Sequence, residues 1–81
     1  AAKPVASPDP GAEDLFLRLK ALRKEIADGN GVPPYVIFPD RTLRELAAAR
    51  PRDLAGFGAV FGVGEFKRGK YGQAFLDEIH R

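Results

Sequence analysis

The stretch Phe61-Gly62-Val63-Gly64-Glu65-Phe66-Lys67-Arg68-Gly69-Lys70 joins a Gly-X-Gly turn to a helix start with three cations in four positions. Glycine tolerates positive φ and lets another molecule come close to the backbone, and the free N–H groups of a helix start favour an anion. These residue types point to a phosphate, with Gly62, Val63 and Gly64 as backbone donors and Lys67 and Lys70 as neighbouring charges. They do not make a nucleotide site. Gly62-Val63-Gly64 lacks the Gly-Lys-Ser/Thr ending of a P-loop, and no strand precedes it as a dinucleotide fingerprint requires.

Few other side chains offer chemistry. The chain has one Ser (Ser7), one Thr (Thr42), one His (His80) and no Cys. Ser7 lies in a Pro-rich tail and His80 is penultimate, so no hydroxyl has a base held within hydrogen-bond reach. His80 reads as a surface residue. The pairs Glu13-Asp14 and Asp77-Glu78 read as solvated faces, because adjacent helical positions point about 100° apart. No set of side chains has metal-ligand spacing, and no cofactor is expected.

The elements that must position the turn read as helices. Residues 1–12 carry Pro4, Pro8 and Pro10 among small residues, the composition of a linker, and the folded domain is assigned to residues 13–81. Asp9 is a candidate N-cap with Pro10 at the first helical position. Leu15, Leu19, Leu22 and Ile26 then recur at 4, 3, 4 spacing on one face, up to Gly29-Asn30-Gly31, which supplies a C-terminal cap. Lys20, Lys24 and Leu17 fall opposite that stripe. Val32–Phe38 has strand-like composition but no partner strand, so it reads as a short helix started by Pro34. Asp40 is expected to cap a helix over 41–49 with Leu43, Leu46 and Ala47 inward, broken by Pro51. A weak fourth helix follows over about 52–60, with Leu54, Phe57 and Phe61 at 3, 4 spacing. Gly56 and Gly58 each cost it roughly 1 kcal/mol unless close packing needs them. The fifth turns Tyr71, Phe75, Leu76 and Ile79 inward and Lys67, Lys70 and Gln73 outward, with Arg68 either snorkelling or displaced by a bend at Gly69. Five short helices make a compact all-α bundle.

Eighty-one residues allow one domain and one core. The net charge is +2 and the pI about 9.2, at the threshold for suspecting nucleic acid. Residues 1–30 balance at five basic and five acidic, and residues 31–50 and 51–81 carry +1 each, so any basic patch is local. No apolar run approaches the roughly 18 residues of a membrane span. The lack of cysteine suits a reducing, cytoplasmic setting. The missing initiator Met and the lack of a signal peptide suggest a soluble piece of a longer protein.

Leu15-Phe16, Leu19-Lys20, Leu22-Arg23 and Ile26-Ala27, then Val32-Pro33-Pro34-Tyr35-Val36-Ile37-Phe38-Pro39-Asp40-Arg41-Thr42-Leu43, Arg50-Pro51 and Gly62-Val63-Gly64 with Lys67, Tyr71-Gly72, Phe75-Leu76 and Ile79 closely resemble the HRDC (helicase and RNase D C-terminal) domain. The Val-Pro-Pro-Tyr-Val-Ile-Phe segment resembles RecQ-type DNA helicases more than RNase D. The resemblance implies an HRDC-like, SAM-like helical fold serving as an auxiliary C-terminal domain of an ATP-dependent DNA helicase. Arg52-Asp53 stand where the family often has a Thr or Ser cap, and Gly56 and Gly58 where better helix formers are usual.

Two functions are consistent with these residues. In the first, the domain binds single-stranded or branched DNA weakly, through Gly62, Val63, Gly64, Lys67 and Lys70, with Lys20 and Lys24 as a second cationic pair. Tyr35 then either stacks on an unpaired base or packs in the core with its hydroxyl satisfied. In the second, the domain docks on the helicase core or a neighbouring domain through Glu13-Asp14, Asp77-Glu78, Leu17 and Phe66. A monomer without membrane contact is expected in either case.

Overall fold

The first helix, α1 (Pro10–Asn30), begins inside the segment read as linker in this computed structural model, which describes residues 10–81; the Asp9 cap lies outside the described residues. Its end is a Schellman turn. Gly31 takes φ 67°, the Val32 N–H reaches the Ala27 carbonyl at 3.1 Å, and the Gly31 N–H reaches Asp28 at 3.3 Å. The buried line on α1 is Leu15, Phe16, Leu19, Arg23 and Ala27, whereas Leu22 and Ile26 are only half-buried at its edge. The stripe read from leucine spacing is therefore rotated. The cause is that α1 packs against three elements, the short α2 (Pro34–Ile37), α3 (Asp40–Ala49) and α5 (Gly64–Ile79), so its contact arc is wide.

Pro34 starts α2 as expected, and Leu43, Leu46 and Ala47 are buried on α3. Asp40 does not cap α3. Pro39 occupies the cap position without a side-chain bond, and the Asp40 carboxylate turns instead to Arg23 Nη1 at 2.8 Å. The helix ends at Arg50 in the left-handed region (φ 45°), its N–H on the Leu46 carbonyl at 2.9 Å, and Pro51 prevents continuation.

The fourth helix, α4 (Leu54–Gly58), is shorter than its periodicity suggests, and of Leu54, Phe57 and Phe61 only Phe57 is buried. Asp53 replaces the usual hydroxyl cap, its Oδ1 accepting the Gly56 N–H at 2.8 Å. Gly58 has a packing reason, since a Cβ there would come 2.6 Å from Arg68 Cδ. Arg68 thus snorkels across α4, with no need for a bend at Gly69.

The core is organised by Phe38. Its ring meets Phe57, Tyr71 and Phe75 edge-on at centroid distances of 6.0, 6.0 and 5.2 Å. The far end of α5 is tied down by polar contacts. Arg18 Nε meets Glu78 Oε2 at 3.1 Å, and His80 Nε2 donates to the Pro51 carbonyl at 2.8 Å. Glu78 is therefore not a solvated residue, and His80, although exposed, is a tether between α5 and the α3–α4 link. Among the described residues there is no strand, and no helix is long and apolar enough to cross a membrane.

Candidate nucleic-acid interface

The Gly62-Val63-Gly64 turn is built by its glycines. Gly62 and Gly64 take φ 87° and 70°, and Val63 between them is right-handed with its side chain in the core. Thr42 pins the turn from α3, its hydroxyl donating to the Phe61 carbonyl at 3.2 Å and occupying the space that a Cβ on Gly62 would need. The three expected phosphate donors are not equivalent. The Val63 N–H is already bound to the Val60 carbonyl at 3.2 Å, so Val63 serves as an anchor, and the free donors lie at Gly62, at Gly64 and in the first turn of α5.

This construction separates the two glycines. Gly62→Ala combines positive φ with a collision against Thr42 and is expected to destabilise the domain by about 2 kcal/mol. Gly64→Ala meets nothing within 4 Å and is expected to lose only about 1 kcal/mol, from φ alone. Urea denaturation of both variants tests this ranking, which equal midpoints would contradict.

The cations around the turn are engaged to different degrees. Lys67 lies half-buried, its Nζ 5.7 Å from the Phe38 ring centroid, while Lys70 is exposed with Nζ 5.6 Å from both the Phe66 and Tyr71 rings. Neither Lys67, Arg68 nor Lys70 forms an ion pair among the described residues. The α1 pair differs. Lys24 is bound to Asp28 at 3.0 Å, an exposed i, i+4 pair. Lys20 is not opposite the core face as the wheel suggests, because rotation of the stripe leaves it half-buried, with Nζ 5.4 Å from the Phe16 ring.

Between α1 and α3 the charges are interlocked. Arg44 also lies over the Phe16 ring (Cζ at 3.9 Å) and bonds Glu13 at 3.2 Å. The Arg23 hydrogen bond, and then the charges of Arg23, Lys20 and Arg44, hold the Asp40 carboxyl below the ordinary carboxylate range against an opposing desolvation. Lys20 and Lys24 thus belong to a face already supplied with carboxylates. Tyr35 projects from α2 with 69% of its surface exposed, so it is not a core residue.

Two exposed aromatics beside the turn were not assigned together by periodicity. Phe61 (58% exposed) lies beyond the end of α4, so the 3, 4 spacing that placed it inward does not apply, and Arg41 Cζ sits 4.1 Å from its ring centroid. Phe66 is 74% exposed. A helical wheel of α5 places Phe66 opposite Phe75, the one signal that marks it in the sequence.

The fold and the site together define a small, all-helical domain with a cationic helix start beside a glycine turn. The sequence profile of the HRDC domain matches residues 12–79, and the chain belongs to the HRDC domain family. It is 49% identical over 67 residues to the ATP-dependent DNA helicase RecQ of Bacillus subtilis (strain 168), covering 83% of this chain and 11% of that protein. It is 41% identical over 67 residues to the ATP-dependent DNA helicase UvrD2 of Mycobacterium tuberculosis (strain ATCC 25618 / H37Rv), covering 83% of this chain and 10% of that protein. The solved D. radiodurans RecQ HRDC domain 3 has a TM-score of 0.82 at 39% identity, over 85% of this chain and 91% of that chain. The chain spans only 10–11% of the length of these helicase relatives.

Proposed function

We propose that this domain is an auxiliary DNA-binding domain of an ATP-dependent DNA helicase of the RecQ type, and that it adds weak affinity for single-stranded or branched DNA and so tunes which structures the helicase engages. One observation carries the proposal. Lys67, Arg68 and Lys70 make no ion pair among the described residues and stand beside the free donors of the α5 start, whereas Arg18, Arg23, Lys24 and Arg44 are each held by a carboxylate at 3.2 Å or less. A phosphate meeting an unpaired cation displaces no internal partner, so the α5 start is where added negative charge gains most. Tyr35 offers a ring for an unpaired base. The helicase relatives support a setting in DNA metabolism.

Docking on the helicase core would use exposed Leu17 and Phe66, but the acidic residues that suggest it are engaged within the domain. Glu78 pairs with Arg18 and Arg81, Asp14 with Arg18, and Glu13 with Arg44, and Asp77 accepts from Gln73 Nε2 at 2.9 Å. With two to four phosphates neutralised, binding to single strands should be micromolar or poorer, with a salt slope of about −0.7 per phosphate; tethering to the motor would make such weak binding useful. The test is a titration of the domain against single-stranded, duplex and branched DNA at two salt concentrations. Lys67→Ala with Lys70→Ala is expected to weaken binding at least about tenfold and to reduce the slope by roughly 1.4. Unchanged affinity and slope would remove the phosphate site.

A further inference from the structure

We propose that Phe61 and Phe66 form a stacking platform for two unpaired bases across the Gly62-Val63-Gly64 turn, and that this platform makes the site select single strands over duplex. The inference rests on the DNA-binding role proposed above and names the substrate feature that the site would recognise. Single exposed apolar residues are ordinary on protein surfaces, so exposure alone says little. Here two large rings, 58% and 74% exposed, flank one tight turn, and each has a cation at cation–π distance. Arg41 Cζ lies 4.1 Å from the Phe61 centroid and Lys70 Nζ 5.6 Å from that of Phe66.

Such pairs match the repeating chemistry of a single strand, in which a planar base and a phosphate alternate. The guanidinium lies 4.1 Å from the centroid of a ring that belongs to a residue still 58% exposed, so the contact leaves much of Phe61 open to solvent. A base can stack on the exposed part of the ring while Arg41 stays available to the adjoining phosphate. Its tie to Glu45, 4.0 Å long and on the surface, is the longest ion pair among the described residues and easily exchanged. Lys70 makes no ion pair among the described residues. In duplex DNA the base faces are occupied by neighbouring pairs, so the phenyl rings have nothing to cover and only the phosphate term remains. An acidic apolar peptide is the competing occupant. It would use the same cations but would show no dependence on bases.

The experiment compares oligothymidylate with an abasic deoxyribose-phosphate oligomer of equal length. Ligands are titrated into the wild-type domain and into Phe61→Leu, Phe66→Leu, Tyr35→Leu and Lys67→Ala/Lys70→Ala variants, with thermal midpoints measured to show that each folds. Leucine keeps apolar volume and removes the ring. Wild type is expected to prefer the base-bearing oligomer by about tenfold or more, and each Phe→Leu change to remove roughly fivefold of that preference, leaving abasic affinity and salt slope unchanged. The lysine variant should weaken both oligomers alike. If the base preference is absent, or disappears entirely with Tyr35→Leu and not with either phenylalanine, the platform is overturned while the phosphate site stands. If the domain binds neither oligomer at low salt, the DNA-binding role itself fails and the platform with it.

Discussion

Phe38→Ala is expected to remove a large share of the domain's stability, about 3–5 kcal/mol, and to lower its thermal midpoint by at least about 15 °C. Phe38 is fully buried and its ring forms edge-on contacts with Phe57, Tyr71 and Phe75, which come from α4 and α5. The residue itself follows α2 and precedes α3, so one side chain joins the two halves of the bundle. Truncation leaves a cavity that three rigid rings cannot fill without leaving their rotamers. A domain of this size has a total stability of only about 4–12 kcal/mol, so the loss is a substantial fraction of the whole. Tyr35→Ala, three positions earlier in the same segment and 69% exposed, serves as the control and should shift stability by no more than about 0.5 kcal/mol. Urea midpoints for the two variants that lie within error of each other would show that Phe38 is not the hub.

That contrast between Tyr35 and Phe38 marks where the sequence stops being legible. Periodicity places Leu43, Leu46, Phe75, Leu76 and Ile79 inward correctly, because α3 and α5 each bury one face against the rest of the bundle. It succeeds only in part on α1, where Leu15 and Leu19 are buried as expected but the helix is gripped from three directions, so that Arg23 and Ala27 take central positions and Leu22 and Ile26 pack at the rim. A hydropathy stripe cannot identify Arg23 as buried, since only the partners 15 and 17 positions further on make its burial tolerable. Within α2 the run is apolar throughout, and four residues are too few to fix which side faces the core. The candidate site follows the same pattern. The glycines, Lys67 and Lys70 are readable as residue types, and the Lys24–Asp28 pair is readable from its i, i+4 spacing. The use of the Val63 N–H by Val60, the grip of Thr42 on the turn and the Arg18–Glu78 tie depend on tertiary approach. They decide which charges and donors remain free, and so where a ligand can add energy.

Arg23→Ala is the second large loss expected, about 3 kcal/mol, and its chemistry differs from that of Phe38. The Arg23 side chain is 9% exposed, and its Nη1 lies 2.8 Å from both the Phe38 carbonyl and Asp40 Oδ1, clasping the α2–α3 junction to α1. Alanine removes the packed stem and leaves the buried Phe38 carbonyl without its donor. The guanidinium itself is held imperfectly, because its Nε is buried and meets no acceptor among the described residues. Arg23→Met keeps the stem, forfeits the carbonyl bond and relieves that unsatisfied donor, so its loss should be smaller, about 1–2 kcal/mol. Acid titration separates the roles of the two acceptors. Arg23 lowers the folded-state pKa of Asp40, so the stabilisation from this pair is fully present above the ordinary carboxylate pKa of about 4 and is lost as pH falls below it. Asp40→Asn and Arg23→Met should both flatten that part of the acid limb, while Arg52→Ala, an exposed arginine, should leave it unchanged. An Arg23→Ala domain as stable as Arg52→Ala, with the acid limb of wild type, would show that the clasp holds nothing.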